Sequence, residues 1–297
     1  MSADQFVQYF ISGLTMGSIY AIVGLGFTII YAVTRIINFA QGEFVMLGGM
    51  LSFYLIKSAG IPLAPALILS VLITVVIGAI MYLLAIRTAR HASVVSLIII
   101  TIGAAVFFRG IAGEIFPWGV DIVRPPYFTG SQSIAFLGAY VHPQAFWIIG
   151  TTVVVMILLH LFLTYTMVGK ALKACAISPV SASMVGINPR TMALIAFTLA
   201  AALGGISGVV MAPLTLMSYS SGFMLGLKGF VAASIGGFKS PVATVIGGFT
   251  LGIVESLAVG IDWGPFTSAY KDVIAMTVLL LILLIRSGRL AEEERMS

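Results

Sequence analysis

Charge is scarce in this chain. Of its 297 residues only 8% are Asp, Glu, Lys or Arg, whereas 60% are hydrophobic, and the mean hydropathy is +1.14. A soluble protein of this length needs far more charge to cover its surface. The composition therefore excludes an ordinary soluble domain and indicates an integral membrane protein.

Residues and motifs that carry catalysis are also scarce. Cys175 is the one cysteine, which excludes an internal disulfide, and the three histidines lie far apart. The Gly169-Lys170 pair lacks the earlier glycine and the following hydroxyl of an ATP-binding P-loop. No His-Glu-x-x-His or Gly-x-Ser-x-Gly motif occurs. The sequence thus predicts no catalytic residue, no metal site and no cofactor held by this chain.

Long apolar runs define the fold class. Each run is close to the ~20 residues that cross a bilayer as a helix. They predict an all-α, polytopic transmembrane bundle of about eight or nine spans in one domain, 1–297. The predicted spans are 7–33, 41–57, 64–86, 93–111, 145–165, 190–212, 222–237, 241–260 and 270–286. Of these, 41–57 and 222–237 are short and rich in glycine, which is typical of broken helices.

Basic residues lie in alternate connections between the spans. Cytoplasmic loops carry an excess of Lys and Arg, so nine spans place the N-terminus outside and the C-terminus in the cytosol. The connection 167–190 is then cytosolic, and 112–144 faces outward. The basic residues on the cytosolic side are Arg35, Arg87, Arg90, His91, Lys170, Lys173, Arg190, Lys239, Arg286, Arg289 and Arg295. Membrane topology explains the net charge of +5, and we expect no binding to nucleic acid.

The stretch "RIINFAQGEFVMLGGMLSFYL", residues 35–55, places polar groups where a span begins. Asn38, Gln41 and Glu43 cannot all face lipid at helical spacing without a cost of a few kcal/mol for the acid alone. Gly42 lets another backbone approach or lets the helix break. Two interpretations stay open: these residues line a translocation path, or they hold neighbouring helices together.

A second polar residue stands in the glycine-rich stretch "GLKGFVAASIGGFKSPVATVIGGF", residues 226–249. Lys228 lies near the start of a short apolar segment. The simpler interpretation is an interfacial lysine whose ammonium reaches the headgroups. The alternative is a pair with a buried acid such as Glu43 or Glu255, which would bring Lys228 to the substrate path.

The cytosolic connection contains the sequence "GKALKACAISPVSASMVGI", residues 169–187. Ser178-Pro179 interrupts it and can start a second short helix with proline at its first position. It is either a solvated connector or a short helix that docks into a groove of a cytosolic partner. Its apolar component is Leu172, Cys175, Ala176, Met184 and Val185.

Three separate stretches resemble the membrane permease subunit of branched-chain amino-acid ABC transporters, the LivH-type or hydrophobic amino-acid uptake family. "INFAQGEFVMLGG" is similar to the family's "INFAHGE" stretch, with Gln41 where His is common. The block "GLKGFVAASIGG" has Gly229 where Ala is usual. The connection 169–187 is similar to the family's coupling loop. The resemblance covers nearly the whole chain, and its loop motif matches through Gly169, Ala171, Ala174, Ala176, Gly186 and Ile187.

The resemblance implies an importer subunit in the bacterial inner membrane. Its partners would be a second homologous permease of the LivM type, two ATPase subunits that bind ATP and Mg²⁺, and a periplasmic binding protein. Residues 167–190 would form the coupling loop and 112–144 the periplasmic loop. The ATPase coupling residues would be Gly169, Lys170, Ala171, Ala174, Ala176 and Gly186. The substrate path would use Asn38, Gln41, Gly42, Glu43 and Lys228.

The exact substrate stays open at this point. The family carries branched-chain amino acids, other amino acids, short amides, urea and aromatic acids, and Gln41 in place of His slightly favours an unusual substrate. Two other classes compete with the importer. A secondary transporter or channel would bind a coupling ion at buried acids, and a membrane enzyme or scaffold would need a site that the sequence does not contain.

Overall fold

The structure is a computed structural model. It describes residues 2–89, 92–116, 121–136, 138–238, 240–260 and 272–281 except 274, 275 and 279. The predicted span at 270–286 and the basic residues Arg90, His91, Lys239, Arg286, Arg289 and Arg295 lie wholly or mostly outside these ranges.

Helices make up most of the described chain. They are α1 (Ala3–Thr34), α2 (Gln41–Lys57), α3 (Leu63–Met81), α4 (Val94–Ile115), α5 (Pro143–Tyr165), α6 (Met167–Ile177), α7 (Pro179–Met184), α8 (Pro189–Thr215), α9 (Ser221–Ile235) and α10 (Pro241–Gly260). A π-helical turn, Tyr82–Ile86, continues α3, and β1 (Ile134–Phe136) pairs antiparallel with β2 (Ala139–Val141). The predicted all-α membrane bundle is confirmed.

The helices agree with eight of the nine predicted spans, and their lengths separate two classes. Six are long and apolar enough to cross a membrane, namely α1, α3 with its π-helical turn, α4, α5, α8 and α10. The other two, α2 and α9, have 17 and 15 residues. At 1.5 Å per residue they reach about 25 and 22 Å, short of the ~30 Å hydrocarbon layer. The two short spans are thus the two glycine-rich ones.

Burial orders the bundle from centre to periphery. Of the most apolar window of α1, 83% is buried, against 67% for α8 and 11% for α4. Glycines let the central helices approach closely: a Cβ at Gly248 of α10 would lie 2.5 Å from the backbone nitrogen of Ala21 in α1. Such contacts between small residues replace the hydrophobic effect as the source of helix association in lipid.

The chain breaks between α1 and α2. Arg35 ends α1 in the left-handed conformation, with φ 58°, and residues 36–40 are not helical. The side chain of Gln41 packs on Gly26, so α2 begins beside a residue about 12 Å back along α1. The irregular segment therefore turns back into the bundle, where the amide of Phe39 donates a hydrogen bond to Thr101 of α4 at 3.2 Å. Non-helical backbone at membrane depth requires such protein partners.

The connection 167–190, predicted to be cytosolic, contains two short helices, α6 and α7. Thr166 caps α6 by accepting from the amide of Gly169 at 2.9 Å. Ser178 caps α7, whose first residue is Pro179, as the sequence predicts. The Arg35 guanidinium donates to the carbonyl of Ala176 at 2.9 Å and so ties α6 to the end of α1.

The predicted outer connection, 112–144, contains more regular structure than the sequence predicts. The helix α4 continues to Ile115, and the strands β1 and β2 form a hairpin before α5. Several contacts hold this region to the bundle. Val123 bridges Met217 after α8, and the amide of Tyr140 donates to Gln8 of α1 at 2.8 Å.

Candidate translocation site and docking loop

The amides of the broken segment bind protein backbone. Asn38 is fully buried, and its Oδ1 accepts from the amide of Ala40 at 3.1 Å. Gln41 is fully buried as well, and its Nε2 donates to the carbonyl of Ala200 in α8 at 2.9 Å. Each amide also has one buried atom, Asn38 Nδ2 and Gln41 Oε1, without a hydrogen-bond partner among the described residues. The two amides thus fix the start of α2, and each keeps one polar atom available for a further hydrogen bond.

Glu43 forms an ion pair that the sequence analysis did not anticipate. Its Oε1 lies 2.7 Å from Nη2 of Arg109 on α4, with the Glu43 side chain 1% exposed and that of Arg109 27% exposed. The guanidinium carbon lies 5.4 Å from the centre of the Phe223 ring on α9. Three helices therefore meet at this pair, and Glu43 does serve to hold helices together.

The first turns of the two short helices touch each other. A Cβ at Gly42 would collide with the carbonyl oxygen of Gly222 and would lie 2.8 Å from Gly226. A Cβ at Gly222 would also meet the Glu43 carboxylate. Glycine is required at these places because backbone approaches backbone. Two broken helices with their N-termini together are the arrangement in which many transporters bind substrates.

Lys228 is buried rather than interfacial. Its side chain is 5% exposed, and Nζ lies 2.7 Å from Glu255 Oε1 on α10 and 2.7 Å from Asp272 Oδ1. It also donates to the Tyr20 hydroxyl of α1 at 3.2 Å. The interpretation of Lys228 as a headgroup-seeking lysine is wrong, because the neighbouring helices supply three oxygens for its ammonium. Of the two suggested acids Glu255 is the partner, and Glu43 pairs with Arg109 instead.

The sequence-predicted path residues are therefore only partly brought together. Gly42 and Glu43 contact the first turn of α9 at Gly222. Gln41 packs instead on Gly26 of α1 and bonds to Ala200 of α8, and Asn38 bonds within the irregular segment. Lys228 lies two residues beyond Gly226 on α9, yet its ammonium joins α9 to α1 and α10. Arg109 was missed, although a lone cation inside a predicted apolar span is itself a signal.

The predicted coupling residues occupy three different environments. Gly169 is buried, and a Cβ there would collide with the carbonyl oxygen of Phe162 at the end of α5. Lys170 is exposed, while Ala171, Ala174 and Ala176 are half-buried. Gly186 is exposed, has φ +85° and meets no atom within 4 Å.

The candidate docking loop, residues 167–187, exposes two lysines, Lys170 and Lys173, and a group of large apolar side chains. The exposed apolar side chains are Met167, Val168, Ile177, Val180, Met184 and Val185. Leu172 and Cys175, by contrast, face the bundle. Burial raises the pKa of the Cys175 thiol, which disfavours the thiolate that a nucleophile would need.

Comparison with known proteins decides the family. The family model described as branched-chain amino acid transport system / permease component matches residues 9–283. The chain belongs to this family. The assignment based on three sequence motifs is thereby confirmed, and the chain is a multi-pass membrane permease, one component of a transport system that has others.

Curated relatives of this permease match over nearly their whole length. The high-affinity branched-chain amino acid transport system permease protein LivH of Salmonella typhimurium is 31% identical over 294 residues, which cover 94% of this chain and 93% of the relative. LivH of Escherichia coli K12 gives the same identity and coverage. The permease protein BraD of Pseudomonas aeruginosa is 29% identical over 293 residues, covering 95% and 94%.

Proposed function

We propose that this chain is the permease subunit of an ATP-driven importer for branched-chain or other hydrophobic amino acids, or for related small carboxylates or amides. The observation that carries the proposal is the family match across residues 9–283, which favours a single permease domain. The meeting of two short helices beside a broken segment supports it, because such breaks accompany substrate sites at membrane depth.

The proposed assembly lies in the bacterial inner membrane. It contains a second permease of the LivM type, two ATPase subunits and a periplasmic binding protein. ATP and Mg²⁺ bind to the ATPases, so this chain is a transport subunit and not an enzyme. The N-terminus lies outside and the C-terminus in the cytosol, as the distribution of Lys and Arg indicates. The hairpin and the rest of 112–144 then face the binding protein.

The docking loop is the proposed contact with an ATPase. Its exposed methionines and aliphatic side chains present an apolar surface, and short helices with such surfaces dock into grooves of partner proteins. Gly169 and the half-buried alanines Ala171, Ala174 and Ala176 seat α6 against the bundle, whereas Lys170 and Gly186 face outward. Small residues at these positions keep the loop close to the membrane helices that it must move.

The proposed substrate path passes the N-termini of α2 and α9. Asn38, Gln41, Gly42 and Glu43 border it. Each amide, and Glu43, has one buried polar atom that finds no hydrogen-bond partner within the described part of the chain, and these atoms are available to a polar substrate. Lys228 contributes by holding α9 in place, since its ammonium already meets three oxygens.

A secondary carrier is the alternative that one observation favours. Glu43 and Glu255 are both buried in apolar helices, and each has a carboxylate oxygen without a hydrogen-bond partner among the described residues. Buried acids of this kind bind coupling ions or protons in such carriers. Uptake by this chain alone, driven by a proton or sodium gradient, would establish the alternative.

Co-purification from mild detergent tests the importer. We expect mass spectrometry to find a second permease and two ATPases with the tagged chain. A clean homo-oligomer would contradict the proposal.

A second experiment tests the docking loop. Gly186→Trp should uncouple ATP hydrolysis from uptake in the reconstituted importer, because the indole would occupy the exposed docking surface. Gly186→Ala is the matched control, since it carries the same positive-φ strain without the bulk. Equal uptake by both variants and the wild type would remove the docking role.

A further inference from the structure

The Glu43–Arg109 pair lies at the edge of the bundle rather than in its centre. Arg109 is 27% exposed, and α4 is the least buried of the six long helices among the described residues. Beside the guanidinium, Phe223 of α9 is 50% exposed. A charged group at this depth requires either protein or a water-filled cavity. The Arg109 guanidinium and the Phe223 ring, which lie in contact, therefore share a partly exposed face of the bundle beside the first turn of α2.

Both side chains of this pair have hydrogen-bonding groups that the pair itself does not use. A single contact, Nη2 to Oε1 at 2.7 Å, is the one hydrogen bond between them. Among the described residues, Glu43 Oε2 and Arg109 Nε are both buried without a partner. A guanidinium offers five N–H donors, and a carboxylate offers about four acceptor positions. The pair is thus held together by only a small part of its bonding capacity.

An aromatic ring lies beside the pair. The centre of the Phe223 ring is 5.4 Å from the guanidinium carbon of Arg109, and Phe223 is 50% exposed. Apolar surface is therefore present next to the cation. The backbone of Gly222 packs directly against the free oxygen of Glu43, because a Cβ at this position would collide with it.

We propose that Glu43 and Arg109 together recognise the ammonium and the carboxylate of an α-amino acid in transit, with Arg109 as a further specificity-determining residue. Opposite charges with unfilled positions complement a zwitterion, and charge-assisted hydrogen bonds to both of its groups would replace the single bond between the side chains. This inference rests on the proposed function and narrows its substrate to molecules that carry both charges, which excludes urea and simple amides.

Neutral substitution of both partners tests the inference in the complete importer. Glu43→Gln/Arg109→Gln preserves two side chains that can hydrogen-bond to each other but removes both charges. With radiolabelled leucine and proteoliposomes, we expect uptake to fall at least about tenfold, because a site built for charged groups loses discrimination without them. Arg109→Lys, which keeps the charge, should retain more uptake than Arg109→Gln. If the neutral pair assembles and its uptake stays within about twofold of wild type, the pair only joins helices.

Thiol labelling provides a second test that leaves the charged pair intact. In a Cys175→Ser background, Phe223→Cys places a thiol on the exposed face beside Arg109. Leu158→Cys on α5 is the matched control, since Leu158 is 60% exposed on a different helix. We expect a membrane-impermeant, positively charged methanethiosulfonate to modify only Phe223→Cys, and leucine during ATP turnover to slow the reaction. No modification at Phe223→Cys would overturn the inference, even if the neutral pair failed to assemble.

Different results contradict the proposed import function and the proposed role of the Glu43–Arg109 pair. A wild-type complex that does not import leucine contradicts the proposed function. If the wild-type complex imports leucine and the Glu43→Gln/Arg109→Gln complex imports it equally well, only the recognition of the zwitterion by Glu43 and Arg109 is contradicted.

Discussion

Two ion pairs in this permease differ in how completely they are enclosed. Lys228 is 5% exposed and meets Glu255, Asp272 and the Tyr20 hydroxyl. Arg109 is 27% exposed and meets Glu43 through one hydrogen bond. The first cation has three oxygen partners for its three N–H donors, and the second leaves donors unused. The comparison indicates that the Lys228 cluster fixes helices, whereas the Glu43–Arg109 pair can exchange partners.

Removing the ammonium of the first cluster should have the largest effect. Lys228→Met leaves the buried carboxylate of Glu255 without its counter-ion, which typically costs about 3–5 kcal/mol. We expect a large fall in the melting temperature of the detergent-solubilised permease, measured by fluorescence-detected size-exclusion chromatography after heating. Lys57→Ala at the exposed end of α2 is the control and should melt like wild type. If Lys228→Met also melted at the wild-type temperature, the Lys228 cluster would have no structural role.

Matched acid-to-amide changes should separate the two pairs. Glu255→Gln weakens the enclosed cluster and should lower stability by about 1–3 kcal/mol, as expected when a buried charged hydrogen bond is lost. Glu43→Gln should lower stability less than Glu255→Gln, because its partner Arg109 is 27% exposed and loses less when its counter-ion is removed. It should lower leucine uptake more than Glu255→Gln. Thermal melting and uptake, normalised to assembled complex, measure both. A reversed order in either quantity would contradict the distinction between a fixed and an exchangeable pair.

The smallest effect concerns the hydroxyl of the first cluster. Tyr20→Phe removes the hydrogen bond from Lys228 and should cost about 1 kcal/mol, seen as a modest fall in melting temperature with uptake preserved. The control is Tyr31→Phe on the same helix, where the ring packs against Phe238 at 4.8 Å and a phenylalanine ring packs equally well. Loss of uptake by Tyr20→Phe at normal stability would place this cluster on the substrate path as well.

The sequence was sufficient for the elements and insufficient for their partners. Apolar runs of ~20 residues predict spans because the bilayer fixes helix length, and Ser178-Pro179 predicts the start of α7 because proline favours the first turn. The partner of Glu43 lies 66 positions away, and no local periodicity encodes that distance. The environment of Lys228 depends on which face of α9 meets α1 and α10. The hairpin at Ile134–Val141 was missed because its strands have only three residues each, too few to show the alternation of apolar and polar residues that predicts a strand.

The hydrogen bond between Arg35 and Ala176 links the helix pair α6–α7 to the broken segment. The Arg35 guanidinium, at the end of α1, donates to a carbonyl of α6, and the irregular stretch 36–40 follows Arg35 directly and leads to the start of α2. A helix resists bending through its own ladder of hydrogen bonds, and this non-helical stretch has no such ladder. If α6 is displaced, we expect the backbone of 36–40 to bend before the helices do, beside the residues of the proposed path.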